Sequence, residues 1–184
     1  MAAESGKMRH YQGARGVDEN HTAAILSGTR MTEPSTRMYR SMVPNDRTPA
    51  RPSVGRSARE LGVRVGVDVH PDESGNVGPN GEGMSVSRSL ATLPDHRCPR
   101  RLRALHPGAS GNDADRVFRL GYGAFVRGAV AAGLRLRPDD KPAPGHGTVT
   151  HGVVEPAKSV PLGDYERDLA ATQEPWDVDE SGSP

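Results

Sequence analysis

Thr148-Val149-Thr150-His151-Gly152-Val153-Val154-Glu155-Pro156, followed at once by Ala157 to Val160 and then Pro161-Leu162-Gly163-Asp164-Tyr165-Glu166-Arg167-Asp168-Leu169, sets two kinds of backbone side by side. The β-branched residues from Thr148 to Glu155 favour a pleated strand, and Pro156 ends it. Pro161 suits the first position of a helix, with Ser159 near enough to cap it, and Asp164 and Glu166 favour the positive end of the helix dipole. Leu162, Tyr165, Leu169 and Trp176 fall at three- and four-residue steps, so the helix is expected to run to Pro175 and cover a sheet with one apolar face. One late helix over short strands is an α+β fold.

Upstream, Val63, Val65, Val67 and Val69 alternate with other residues and give the cleanest strand signal in the chain. Met38-Tyr39-Arg40-Ser41-Met42 fits a first strand, and Met84-Ser85-Val86-Ser87 fits a strand leaving the glycine-rich loop from Pro71 to Gly83. Val117, Phe118 and Leu120 start another, helix and strand compete over Phe125 to Leu134, and Leu134 with Leu136 reads as strand. Pro44 to Pro52, Leu93 to Gly111 and Pro138 to Gly147 are rich in turn formers, and Arg59 to Leu61 makes one helical turn. The expected fold is therefore α+β, with mixed, mostly antiparallel short strands and a C-terminal helix. Residues 1–35 lack sustained periodicity and are expected to be a disordered tail, 36–178 the folded domain, and 179–184 a second loose tail.

The chain of 184 residues has 34% hydrophobic and 4% aromatic residues, with 22 glycines and 16 prolines, so its core comes from a minority of the sequence. It has no apolar run long enough for a transmembrane helix and no apolar h-region near Met1, which points to a cytoplasmic protein, or one delivered without a classical signal peptide. Cys98 is the only cysteine, so an internal disulfide and a thiolate zinc cluster are excluded. Except for Lys7, Lys141 and Lys158, all 24 basic residues are arginine, yet the net charge is only +1, which argues against a dedicated nucleic-acid binder. Arg97, Arg100, Arg101 and Arg103 lack aromatic neighbours and read as a solvated loop. Gly81-Glu82-Gly83 lacks the third glycine of a dinucleotide fingerprint, and Gly83-Met84-Ser85-Val86-Ser87 lacks the second glycine of a nucleophile elbow. His146 and His151 are five apart, on opposite faces of a strand, so no metal site is expected.

Three polar residues remain on or beside strands: Arg40, Ser85 and Glu155. Their blocks are Met38-Tyr39-Arg40, Gly83-Met84-Ser85-Val86, and His151-Gly152-Val153-Val154-Glu155-Pro156-Ala157-Lys158. With the final helix, they make the stretch from Met38 to Trp176 resemble the small ADP-ribosyltransferase-like toxins related to a type VI secretion effector. That resemblance implies split antiparallel sheets holding NAD as substrate in a cleft, with Tyr39, Arg40, Ser85 and His151 binding it and Ser85 and Glu155 catalytic. Arg40 would clamp the diphosphate, Ser85 orient the ribose, and Glu155 stabilise the oxocarbenium-like transition state. It further implies a protein or nucleic-acid acceptor, an immunity protein as partner, and no membrane. The sequence departs from the broader superfamily at Val86 and Val153, where a threonine and a second Glu or Gln are common. The alternative is a non-catalytic interaction protein that recruits its partner through residues 1–35.

Overall fold

Strand β1 (Met38–Met42) is buried along its whole length, because it runs through the middle of a sheet covered on both faces. The structure is a computed structural model that describes residues 36–142, 145 and 147–181. The tail expected over residues 1–35, His146 and residues 182–184 lie outside the described residues.

In chain order β1 is followed by β2 (Asn76–Val77), β3 (Met84–Ser87), β4 (Arg116–Leu120), β5 (Gly128–Ala131), β6 (Leu134–Pro138), β7 (His151–Pro156), β8 (Val160–Pro161), helix α1 (Leu162–Ala170) and β9 (Trp176–Val178). Seven strands form one sheet in the order β5-β6-β7-β3-β1-β4-β9, antiparallel at each neighbouring pair. β2 and β8 pair separately. The fold is α+β, with mostly antiparallel strands and one C-terminal helix.

Strand alternation sorts the side chains onto two faces. Met38, Met42, Met84, Val86, Phe118, Leu120, Leu134, Leu136 and Val154 turn toward α1 and join Tyr165, Leu169 and Trp176 in the main core. On the other face the chain from Leu90 to Ala109 lies over β1 and β4. There Leu90, Leu93, Cys98 and Ala109 pack on Tyr39 and Val117 in a second, smaller core. The region read as a solvated arginine loop is thus an apolar cover, with Arg100, Arg101 and Arg103 exposed and Arg97 half-buried. Arg100 and Arg101 bind Asp113, and Arg103 donates to the Ala109 carbonyl. Cys98 is fully buried, and burial pushes its thiol up, away from nucleophilic use.

Several expectations are corrected. Val63 to Val69 does not form a strand: Gly66 takes a positive φ of 76°, and the Asp68 carboxylate accepts from the Arg64 backbone N–H at 2.8 Å and from its guanidinium. The chain folds into a turn that buries Val63 and Val69 and leaves Val65 and Val67 exposed. The helix ends at Ala170, and Ser159 provides no cap. Trp176 leaves the helix face to begin edge strand β9 opposite Leu120, while its indole Nε1 donates to Thr172 Oγ1 at 3.2 Å. Its burial was legible, its element was not. Asp179 and Glu180, assigned to the terminal tail, are tied to the domain: Asp179 accepts from Arg119 at 3.1 Å and Glu180 from Arg116 at 3.0 Å.

Candidate functional site

β1 pairs with β4 over five residues, but it meets β3 at one position only, Tyr39 opposite Ser87. The two strands remain neighbours in one seven-stranded sheet, and this short pairing leaves a seam between them. The Arg40 side chain bridges the seam. By alternation Arg40 belongs to the apolar face, between Met38 and Met42, where it is 7% exposed. Its Nη1 donates to the Ser85 carbonyl of the facing strand, and its Nη2 to the Ala58 carbonyl at 3.1 Å. A side chain therefore replaces the missing backbone ladder.

Among the described residues Arg40 forms no ion pair, and its buried Nε has no hydrogen-bond partner. Burial first, then the charge of Arg97, pushes its pKa down to about 10. It remains a cation at neutral pH, without a direct ion pair, and the charge of nearby Asp68 offsets only part of the burial. A buried cation in this state is unfavourable for the fold, and its place beside a cleft makes it a candidate for binding a ligand.

A cleft of about 190 Å³ opens at this seam. Arg40 and Val86 line it from one face of the sheet, and Tyr39, Ser41, Ser85, Ser87 and His151 from the other, so the cleft enters the seam itself. His96 and Arg97 close it from the covering chain. Arg97 donates to the Ala58 carbonyl at 3.0 Å, and its burial together with the charge of Arg64 holds its pKa below the ordinary value. The buried Ser41 hydroxyl has no hydrogen-bond partner among the described residues. No carboxylate stands among these lining residues. Two guanidinium groups, two imidazoles and three serine hydroxyls make a donor-rich, cationic pocket suited to an anion carrying hydroxyl groups.

The structure brings Tyr39, Arg40, Ser85 and His151 together around this cleft. The Tyr39 hydroxyl donates to Asp179 at 3.1 Å and is pushed up in pKa by burial and by that carboxylate, so its ring faces the cleft while its polar end is engaged. Glu155 is placed differently. It lies on the same sheet face as Ser85, since Ser85 pairs with Val153, but it is 0% exposed and does not line the cleft. Arg135 Nε donates to its Oε1 at 2.8 Å and the Gly81 N–H to its Oε2 at 2.8 Å, with Arg137 3.9 Å away. The loop covering it needs Gly83, where a Cβ would lie 2.2 Å from the Val154 carbonyl oxygen.

Sequence reasoning missed Ser41, Ser87, His96 and Arg97. Ser41 and Ser87 carried a signal, because each lies two residues from a chosen residue, Tyr39 or Ser85, and so shares its face. His96 and Arg97 carried none, as only the fold of the covering chain brings them over the seam. No protein-family model matches the chain, and no curated protein matches it.

Proposed function

We propose that the seam between β1 and β3 binds NAD and that the domain cleaves the bond between nicotinamide and ribose, transferring ADP-ribose to an acceptor or to water. The observation that carries this reading is Arg40, a buried cation without a direct ion pair, lining a cleft whose lining residues include no carboxylate. A diphosphate supplies the missing negative charge to Arg40 and Arg97, and Ser41, Ser85 and Ser87 offer hydroxyls to a ribose. The short pairing of β1 with β3 and the clustering of Tyr39, Arg40, Ser85 and His151 support the resemblance to ADP-ribosyltransferase-like toxins. For Glu155 to take a transition-state role, the glycine-rich loop must lift so that the Gly81 N–H leaves Oε2, since the carboxylate is enclosed as it stands.

The enclosure of Glu155 favours a second reading, in which the loop stays closed and the domain binds a dinucleotide without cleaving it. The alternative of partner recruitment through residues 1–35 lies outside the described residues. Calorimetry with NAD, alongside nicotinamide release by the purified chain, separates the two readings. Arg40→Ala is expected to weaken NAD binding by about 1.5–3 kcal/mol through lost charge-assisted bonds. Glu155→Gln is expected to slow release while leaving binding nearly intact, because the charge acts on the transition state. Binding without release establishes the second reading, and no binding by a folded wild-type chain ends both.

A further inference from the structure

The Arg40 cleft continues into a second one at the far end of β3 and β7. Ser87, Leu93, Pro94 and His151 line both, and the second is completed by residues that include Thr92, Asp95, His106, Asp139 and Thr150. His151 therefore stands at the junction. Its ring Nδ1 lies 3.0 Å from Asp139 Oδ2. An ionised carboxylate only accepts, so the proton of the neutral ring sits on Nδ1 and the lone pair on Nε2. Nε2 has no protein partner among the described residues. Across the strand, Ser87 is the register partner of His151, so the two side chains are neighbours on one face.

A carboxylate behind one nitrogen and an open lone pair on the other is the arrangement of a general base oriented by a second residue. We infer that His151, oriented by Asp139, deprotonates a hydroxyl-bearing acceptor, water or an alcohol, that enters through the second cleft. The inference rests on the proposal that NAD occupies the first. The acceptor oxygen forms a bond to the anomeric carbon of the ribose, and the bond from that carbon to the nicotinamide nitrogen breaks. Its electron pair stays with nicotinamide, which leaves neutral, and the acceptor proton passes to Nε2 of His151. No external oxidant or metal is required for this balance. The role suits His151 rather than His106, whose Nε2 is engaged by Asp95 at 2.7 Å and which lines the second cleft alone. It also gives the Arg40 cleft a proton acceptor of its own, which the covered Glu155 does not provide.

The test uses the full chain. Asp139 does not line the first cleft, so Asp139→Asn is expected to leave NAD affinity by calorimetry and KM unchanged while lowering kcat for nicotinamide release at least about tenfold. Nitrogen NMR of the His151 imidazole, expected to show the Nδ1–H tautomer in the wild type and a mixture in Asp139→Asn, reads the orientation without turnover. His151→Ala is expected to lose about a hundredfold in kcat, within the range of general-base effects, and added imidazole should restore part of it. Should the alanine variant fail to fold, the half-exposed Asp139 site still carries the test. Turnover in Asp139→Asn equal to wild type, a tautomer that does not change, or an alanine variant that imidazole leaves inert overturns the assignment while the NAD reading stands. Wild-type binding without turnover overturns it too. Absence of NAD binding by the wild type removes both.

Discussion

Arg40 is the residue at which stability and ligand binding pull apart. Its two Nη groups donate to carbonyls, its Nε finds no partner among the described residues, and no carboxylate pairs with it directly, so the fold carries the cost of desolvating a cation without recovering an ion pair. Arg40→Met, which keeps the length of the side chain between Met38 and Met42, is accordingly expected to melt at the same temperature as the wild type or higher, while NAD binding is weakened as in Arg40→Ala. A substantially lower melting temperature would show that the bridge to the Ser85 carbonyl holds the two halves of the sheet together. Arg40 was legible because an arginine at the middle of Met38-Tyr39-Arg40-Ser41-Met42 shares its face with two methionines. The enclosure of Glu155 was not legible. It depends on Arg135 and on Gly81, which reach it from another strand and from a loop 74 residues away in the chain.

Helix α1 lies over the apolar face of the sheet through Tyr165 and Leu169, both fully buried. The Tyr165 hydroxyl donates to the Val154 carbonyl at 2.6 Å and accepts from the Met84 N–H at 3.2 Å, bridging β7 and β3. Burial drives its pKa well above the ordinary tyrosine value, so it stays a neutral donor. Leu169→Ala is expected to cost about 2–5 kcal/mol in a denaturant melt, the range for a fully buried leucine. A loss below about half a kilocalorie, typical of surface sites, would detach the helix from the core. The strands β1, β3, β4 and β6 could be read because hydrophobic alternation survives in each. Val63 to Val69 shows the same alternation and still folds as a turn. There one glycine at positive φ and the Arg64–Asp68 clamp outweigh the periodicity, and both are local chemistry that a period-two pattern does not register.

At the scale of the molecule, three loops are fastened by carboxylates that accept backbone N–H groups: Asp68 from Arg64 at 2.8 Å, Glu82 from His70 at 2.7 Å and Asp113 from Arg101 at 2.8 Å. Burial works against ionisation of Asp68 and Glu82, but the Arg64 and His70 hydrogen bonds outweigh it, and the Arg101 N–H leads for Asp113, so all three sit below ordinary carboxylate values. A folded-state pKa below the unfolded one gives stability that is complete above the unfolded value, near pH 4, and lost as pH falls through the folded value. Hydrogen exchange is therefore expected to show the amides of Arg64, His70 and Arg101 losing protection below about pH 4 while those of β4 keep theirs. Simultaneous loss across loops and sheet would contradict this. The single-residue meeting of β1 and β3 has a further, mechanical meaning. A sheet under tension yields where the fewest strand-to-strand bonds share the load. Pulled across its strands, this one has its tear line at Tyr39 and Ser87, with the limbs β5-β6-β7-β3 and β1-β4-β9 parting as two intact ribbons.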